Sequence, residues 1–298
     1  MKPIEILPNL IYKDTVLRAN KLYIVQGEVR VLKKIRLTIQ DQTTLLLVNG
    51  VFPKSLTKRS TLIFEQGSQL KAERLYIKAA NTRFKPTKLA DNGGLWFLGN
   101  FADAAKDGVI VKTNRKNPLS SFIAQSISTR YLGRADDYIS PISGKRITTG
   151  DDIDGVSLLG VGPTEWTVQT LTSHHSADDG IDLTNSHIRL MRLEIKHPIE
   201  DGINLSSSRL EIHRSLSVDV RKTKEKDRDL VDFETDDGAS YLELRRGCWV
   251  RLTGVFGDQV VLSSKEMPTP NTKDDNEKAY TFSGKLKHAA LIYSIDED

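Results

Sequence analysis

The chain has 298 residues, of which 43 are Lys or Arg and 39 are Asp or Glu, giving a formal net charge of +4. A charge balance this close to even does not indicate nucleic acid or another polyanion as a partner. The single cysteine, Cys248, excludes an internal disulfide, and no apolar run is long enough to cross a bilayer. The first ten residues lack the apolar core of a signal peptide, so we expect a soluble chain whose secretion signal is absent or has been removed.

Short runs that alternate apolar and polar residues predict strand after strand from Lys21 to Leu75. Val, Ile, Leu, Tyr and Thr fill these runs, and Gly, Asn and Asp interrupt them. The pieces GGLWFLGN at 93–100 and SSFIAQSISTRYLG at 120–133 predict further turns with larger insertions between them. No amphipathic helix of useful length is predicted anywhere in the chain.

Residues 154–233 contain four near-copies of one phrase: DGVSL at 154–158, DGIDL at 179–183, DGINL at 201–205 and DLVDF at 229–233. Self-similarity at this spacing is typical of stacked β-repeats, because each turn buries its apolar face only against its neighbours. The sequence therefore predicts an all-β fold, a right-handed parallel β-helix formed as a single-stranded solenoid with capped ends. Two inward columns are expected: Val156, Ile181, Ile203 and Val231 in one, and Leu158, Leu183, Leu205 and Phe233 in the other.

The remaining segments complete the predicted domain organisation. The charged run at 221–229 is expected to leave the wall, and the polar tract at 265–279 to form a loop. Residues 1–264 are predicted to form the β-helix, and residues 265–298 the polar loop and a C-terminal capping segment, either a strand pair or a short helix.

An acidic corner is predicted where the repeats are laid in register. Aligning HHSADDGID at 174–182 with KHPIEDGIN at 196–204 places the two segments side by side on adjacent strands, about 4.8 Å apart. The expected neighbours are His174 and Lys196, His175 and His197, Asp178 and Glu200, Asp179 and Asp201, and Asp182 and Asn204, with Asp232 following on the next turn.

Two kinds of chemistry and one structural role compete for these residues. Clustered carboxylates suit Ca²⁺, with Asp178, Asp179, Asp182, Glu200 and Asp201 as candidate metal ligands. The candidate catalytic residues are Asp178, Asp182, His174, Lys196 and Asp232: His174 or Lys196 would act as the base in β-elimination of a uronic acid, and Asp179, Asp182 and Asp201 could supply carboxylate pairs for hydrolysis. Alternatively, each Asp-Gly pair only shapes a tight turn, with its glycine at positive φ.

The motifs at 93–100, 120–133 and 153–183 also resemble a known group. The matching positions are Trp96, Gly99 and Asn100; Gly155, Leu158, Gly160, Val161 and Gly162; Asp178, Asp179 and Gly180; and Asp201 and Gly202. They are similar to secreted bacterial right-handed β-helix proteins of the pectate-lyase-like superfamily, although the second corner here contains EDG rather than DDG. The resemblance implies an extracellular or cell-envelope location, and relatives that include Ca²⁺-dependent lyases, glycoside hydrolases, epimerases and non-catalytic adhesins. A cytoplasmic location stays open because this chain shows no signal peptide.

The sequence favours binding of an extended polysaccharide, or a similar polymer, along the lateral wall, assisted by calcium. A polysaccharide lyase or glycoside hydrolase that uses the acidic corner is one alternative. A non-catalytic structural or partner-binding protein, which would meet another protein through its exposed wall, is the other. If the chain is an enzyme, we expect an open groove lined by Asp182, Lys196 and Asp232. Fold alone does not choose among these functions.

Overall fold

The computed structural model describes residues 2–50, 59–106, 108–134, 137–139, 146–148, 153–220, 228–235, 237–257, 260–270 and 279–294. These residues form 27 strands and no helix, and two large sheets contain most of the strands. The predicted all-β class is confirmed. Of the segments predicted as loops or cap, residues 221–227, 271–278 and 295–298 lie outside the described residues.

The 8-stranded sheet contains the shorter strands of the repeats. Its members, in spatial order, are β2 (Leu10–Ile11), β5 (Glu28–Val31), β8 (Thr61–Phe64), β10 (Leu95–Leu98), β16 (Val156–Leu159), β18 (Ile181–Thr184), β20 (Ile203–Ser206) and β22 (Asp232–Glu234).

The 15-stranded sheet contains the longer strands, together with the first and last strands described, β1 and β27. Its members are β1 (Ile4–Ile6), β3 (Thr15–Leu17), β4 (Leu22–Val25), β6 (Arg36–Ile39), β7 (Thr43–Val48), β9 (Gln69–Ala80), β13 (Ser121–Arg130), β17 (Trp166–His174), β19 (His187–Lys196), β21 (Arg209–Asp219), β23 (Tyr241–Leu244), β24 (Trp249–Gly254), β25 (Val260–Ser263), β26 (Tyr280–Lys285) and β27 (Ala290–Ser294). Two small antiparallel pairs lie outside both sheets: β11 (Ala104–Lys106) with β12 (Val109–Val111), and β14 (Asp137–Ile139) with β15 (Arg146–Thr148).

From β16 to β22 the chain alternates between the two sheets. A repeat, as used below, is one strand of the 8-stranded sheet together with the strand of the 15-stranded sheet that follows it. Each strand in this stretch pairs in parallel with its counterpart in the next repeat, as β16 does with β18 and β17 with β19. The recurring phrases therefore occupy equivalent positions on adjacent strands.

The core lies between the inner faces of the sheets. Leu158 pairs with Leu183, Leu183 with Leu205, and Leu205 with Phe233, and all four belong to one large apolar cluster. The second predicted column, Val156, Ile181, Ile203 and Val231, is fully buried in the same cluster. Both inward columns are confirmed. Cys248 is also buried there, and burial raises the pKa of its thiol to about 11, as expected for an inert cysteine.

The Asp-Gly pairs do not form the predicted turns with glycine at positive φ. Gly155, Gly180 and Gly202 lie outside the positive-φ region, which other glycines such as Gly27 do occupy. Close packing requires these glycines instead: a Cβ on Gly180 would lie 2.4 Å from the carbonyl oxygen of Gly202 and 2.4 Å from Cγ2 of Ile195. The expectation of positive φ at these glycines was therefore wrong. Glycine is needed there because a side chain would not fit, and not because of the backbone conformation.

A ladder of serines holds the turns that lead from the short strands to the long ones. The backbone amide of Val161 donates to Ser186 Oγ at 2.9 Å, that of Ser186 to Ser208 Oγ at 2.9 Å, and that of Ser208 to Ser240 Oγ at 3.0 Å. Each hydroxyl thus satisfies a buried amide of the preceding repeat, which would otherwise be costly.

The hairpin of β11 and β12 covers part of the outer face of the 8-stranded sheet. Ala104 and Val111 of the hairpin belong to an apolar cluster with Trp96, Leu98 and Leu159 of the sheet. Beyond Leu159 the outward positions become polar, as at Asp182. The hairpin therefore ends where the acidic residues begin.

At the C-terminal end the pairing becomes antiparallel. β26 pairs with β24, and β27 lies between β23 and β25. The predicted capping segment contains two strands and no helix in its described residues, but β26 and β27 pair with other strands and not with each other. These strands cover the last parallel strands of the 15-stranded sheet.

Candidate functional site

Four aspartates, all at most 5% exposed, lie together where β16 and β18 begin: Asp154, Asp178, Asp179 and Asp182. One carboxylate oxygen from each of Asp154, Asp178 and Asp179 lies within 4.8 Å of the other two. Lys106 of the hairpin joins the fourth to them, since its Nζ lies 2.9 Å from Asp154 Oδ2 and 3.4 Å from Asp182 Oδ1. We name these four residues the acidic pocket.

The acidic pocket sets four buried carboxylates close together, with the Lys106 ammonium against two of them. Burial raises the pKa of Asp182 to about 7; the Lys106 ammonium opposes this rise, while Asp154 and Glu234 add to it. Burial also raises the pKa of Asp179 well above its usual range, with Asp201 and Asp154 contributing. A further cation would therefore stabilise the ionised form of the pocket.

Asp201 and Glu200 lie beside the pocket, in the next repeat, as the alignment predicted. The backbone amide of Asp201 donates to Asp179 Oδ1 at 2.9 Å, and the Asp201 carboxylate accepts a hydrogen bond from the amide of Asp229. The amide of Glu200 approaches the carbonyl oxygen of Asp178 at 3.5 Å. Carboxylates of one repeat thus bind backbone amides of the next, which gives Asp179 and Asp201 a structural role between repeats and not the tight-turn role that the sequence suggested.

Asp182, Asn204 and Asp232 follow one another in register on β18, β20 and β22. They point away from the core because the leucines beside them point inward. Burial raises the pKa of Asp232, with Glu234 adding to the rise. The outer face of the 8-stranded sheet is therefore acidic beyond the hairpin.

His174 and Lys196 pair in register, as predicted, but they lie on the other sheet. His174 Nε2 is 3.3 Å from Glu194 Oε1, and the Lys196 ammonium contacts the same oxygen. Burial lowers the pKa of His174 despite the opposing effect of Glu194. The predicted bases and the predicted acids Asp182 and Asp232 thus occupy outer faces of different sheets.

The structure also contains a groove that the sequence analysis did not predict. A cleft of about 700 Å³ runs across the outer face of β9, β13, β17, β19 and β21. Its lining residues, named here the wall groove, are Glu73, Arg74, Gln125, Ser126, Gln169, Thr170, Met191, Arg192 and Arg214. Asp182, Lys196 and Asp232 do not line it, because the cleft follows the middle of the long strands and not the acidic corner.

The wall groove forms where the long strands lose their regular pairing. Pairing between β9, β13 and β17 is interrupted at Glu73, Gln125 and Gln169, and β19 and β21 change register between Leu190 and Arg192. Two successive polar residues, or Met-Arg in β19, thus stand between apolar ones in β9, β13, β17 and β19. The sequence shows this as ERL, QSI, QTL and MRL, each a break in the period-two alternation.

Beside the wall groove, basic side chains stand in one line across four strands. Lys78 pairs with Arg130, Arg130 with His174, and His174 with Lys196. These four residues are named the basic row. Between the groove and the basic row lies a line of hydroxyl groups on Tyr76, Ser128 and Thr172, which is followed by Glu194 on β19.

The tryptophans divide between core and surface. Trp96 and Trp166 are at most 2% exposed and belong to the core clusters, so neither is a sugar-stacking platform. Trp249 is 52% exposed. It lies on β24 of the 15-stranded sheet, where it pairs with Ser215 of β21.

Comparisons with known proteins leave the function to be argued from this geometry. No protein-family model, curated protein sequence or solved structure matches the chain. In the part of the chain that the structure describes, there is no helix with the length and apolarity needed to cross a membrane.

Proposed function

We propose that the chain is a right-handed parallel β-helix of the pectate-lyase-like kind, placed at the cell envelope or outside the cell, that binds an extended acidic polysaccharide. The observation that carries this proposal is the wall groove with the basic row beside it. The handedness rests on a general rule, since about 98% of crossovers between parallel strands of one sheet are right-handed.

The repeating arrangement of the groove favours a polymer over a small molecule. Equivalent polar positions recur on adjacent parallel strands, which lie about 4.8 Å apart. This spacing is close to the length of one sugar unit in an extended chain. Gln125 and Gln169 present amide groups at equivalent positions, so these two adjacent strands offer a similar set of hydrogen-bond partners.

The basic row favours an acidic polymer. Like charges directly opposite one another on adjacent strands are destabilising, yet Lys78 and Arg130 stand in register and are followed by His174 and Lys196. Carboxylate or sulfate groups on a bound polymer would offset this repulsion with charge-assisted hydrogen bonds. Arg192 and Arg214 on the groove side add to the positive potential.

The proposal is tested by equilibrium binding of polygalacturonate, heparin and neutral dextran, measured by calorimetry at several salt concentrations. We expect the acidic polymers to bind, and binding to weaken as salt rises because screening reduces the attraction. The double variant Lys78→Gln/Arg130→Gln should bind them about tenfold more weakly, since it loses two charged hydrogen-bond donors.

The matched control is Arg115→Gln/Lys116→Gln, which removes the same charge from exposed positions away from the wall. This variant should bind like the unmodified chain. An equal loss of polymer affinity in both double variants would show that net charge alone causes the effect. It would contradict a specific role of the basic row. Absence of binding to all three polymers would overturn the proposed function.

A lyase remains the second candidate because both predicted bases lie on the wall that would hold the polymer. His174 and Lys196 are members of the basic row, and burial lowers the pKa of His174, which favours its neutral, proton-accepting form. Ultraviolet detection of unsaturated sugar ends, lost in His174→Gln or Lys196→Met, would support it. Binding without product would leave the chain a binding protein.

The hydrolase alternative has less support. Asp179 and Asp182 are at most 5% exposed and lie on the side of the 8-stranded sheet, away from the wall groove. A polysaccharide bound in the groove would not reach them. The partner-binding alternative draws on exposed apolar side chains of the first strands and the turn after them, such as Ile4, Ile6 and Tyr12, and it would gain if no polymer binds.

A further inference from the structure

The acidic pocket contains a buried carboxylate oxygen for which the described residues provide no hydrogen-bond donor. Asp154 is fully buried; its Oδ2 is engaged by Ser157 Oγ at 3.0 Å and by Lys106, whereas Oδ1 is buried without such a partner. Buried lone pairs left in this state are costly unless a cation or water meets them.

Neutral polar groups beside the pocket also lack hydrogen-bond partners among the described residues. The unmatched polar atoms are therefore not limited to the carboxylates. Ser176 is 2% exposed and its hydroxyl has no hydrogen-bond partner among the described residues. It precedes Asp178 in the same turn, and its Cβ lies 3.1 Å from where a Cβ on Gly155 would stand. Asn204, 8% exposed and in register with Asp182, has a buried amide oxygen that is likewise unmatched.

We propose that the acidic pocket binds one Ca²⁺ ion, with carboxylate oxygens of Asp154, Asp178 and Asp179 as its protein ligands. The three oxygens already lie within 4.8 Å of one another, close enough to share one ion. An all-oxygen donor set suits a hard divalent cation, and Ca²⁺ accepts the irregular geometry that Mg²⁺ does not.

This ligand set differs from the one predicted from the sequence. Asp154 enters because it lies one repeat before Asp179, a position that the predicted set did not include. Asp182, Glu200 and Asp201 are not included, because the group whose oxygens lie within 4.8 Å of one another consists of Asp154, Asp178 and Asp179. Asp182 instead faces the Lys106 ammonium at 3.4 Å.

The ion has a structural role in this arrangement. It joins the segment that leads into β16 to the turn that leads into β18, next to the point where Lys106 attaches the hairpin. The wall groove lies on the other sheet, so the ion would not touch a bound polymer. The calcium site and polymer binding are therefore separable.

The experiment uses the full chain, treated with EDTA and exchanged into metal-free buffer. Calcium chloride or magnesium chloride is then added, with metal content measured by elemental analysis and Tm measured by calorimetry. We expect about one Ca²⁺ per chain and a Tm raised by several degrees, because a ligand that binds only the folded state stabilises it by mass action. Magnesium should produce a smaller rise.

Asp154→Asn should lose both the bound calcium and the calcium-dependent rise in Tm. The matched control is Glu234→Gln, which removes an exposed carboxylate from the outer face of the same sheet and should retain both. If Asp154→Asn does not fold, calcium binding by the unmodified chain still decides the matter: no bound calcium and no shift in Tm would overturn the site. Polymer binding unchanged by EDTA would agree with the separation of the two sites.

Discussion

Basic side chains surround the carboxylate of Glu211 on the outer face of β21. His187 Nε2 lies 2.9 Å from it, Arg189 Nε 3.2 Å and His213 Nε2 3.6 Å, and Arg245 also donates a hydrogen bond. Despite the opposing effect of burial, these donors lower the pKa of Glu211 to about 2. Ionised Glu211 therefore stabilises the fold through groups on β19, on β21 itself and in the turn that follows β23.

Replacing Glu211 by Gln should lower the free energy of unfolding by about 2 kcal/mol at neutral pH. The folded pKa lies below the unfolded value, so this stabilisation is complete above pH 4.5 and is lost as the pH falls towards about 2. Urea unfolding of both chains across this range measures it. The exposed Glu73→Gln should stay within about 0.5 kcal/mol of the unmodified chain. A Glu211→Gln deficit that persists undiminished at about pH 2 would point to lost packing and not to lost charge.

For individual residues, the sequence predicted which side chains are neighbours only where the repeats set the register. The pairing of Asp182 with Asn204 follows from two aligned phrases. Lys106 could not be found in this way, because it reaches the pocket from a hairpin inserted between repeats. Glu165 was also missed: its carboxylate accepts backbone amides of Asn100 at 2.9 Å, Ser120 at 3.0 Å and Gly162 at 2.9 Å, contacts that only the folded chain brings together.

At the scale of elements, the glycines of the Asp-Gly phrases set how closely adjacent repeats and the two sheets approach. A Cβ on Gly180 would overlap the carbonyl oxygen of Gly202 and a methyl group of Ile195, each at 2.4 Å. A Cβ on Gly155 would be crowded by two side-chain atoms, Ser176 Cβ at 3.1 Å and Ser173 Oγ at 3.3 Å, while the carbonyl oxygen of Gly180 at 3.6 Å would be in ordinary contact. Replacing the glycine of the phrase by alanine is therefore expected to have different effects in successive repeats.

Gly180→Ala should therefore cost about 2–3 kcal/mol of stability, and Gly155→Ala about 1 kcal/mol or less, because backbone gives way less readily than a serine side chain. Thermal and urea unfolding of the two variants test this order. Equal costs would indicate that a backbone preference shared by both positions dominates. Since neither glycine has positive φ, no such shared cost is expected.

Element order and register were predictable from period-two alternation and from the recurring phrases, whereas the groove was not. The long strands were predicted as strands, but a bend within a strand leaves only a one-residue break in alternation, as at Gln125 and Gln169. A single break resembles an ordinary exposed position. It gains meaning only when the structure shows that the breaks of successive repeats adjoin.

At the scale of the whole molecule, a near-neutral composition conceals a local row of basic residues on one sheet and a local group of acidic residues on the other. The outer face of the 15-stranded sheet carries the basic row, while the outer face of the 8-stranded sheet carries Asp182, Asp232 and Glu234. Net charge alone gave no reason to expect an anionic partner. Strand register separates the charges, because alternate residues of each short strand face outward together.

The antiparallel strands β26 and β27 should protect the C-terminal end of the sheet as a unit. Ile292 is fully buried, on β27, where it pairs with Leu242 and with Leu262. Ile292→Asp places a charge in this apolar contact and should destabilise the end by about 3 kcal/mol or more. If repeats stack as proposed, each contacts mainly its neighbours, so the damage should stay local.

Hydrogen–deuterium exchange distinguishes local from global damage. In Ile292→Asp, amides of β23, β24, β26 and β27 should lose protection while those of β13 and β17 keep it, because the latter lie several strands away. The exposed Thr281→Asp on β26 should leave all of them protected. Exposed strand edges should also make the Ile292 variant associate on warming, visible by light scattering. Uniform loss of protection in every strand would show instead that the chain unfolds as one cooperative unit, with no independent end.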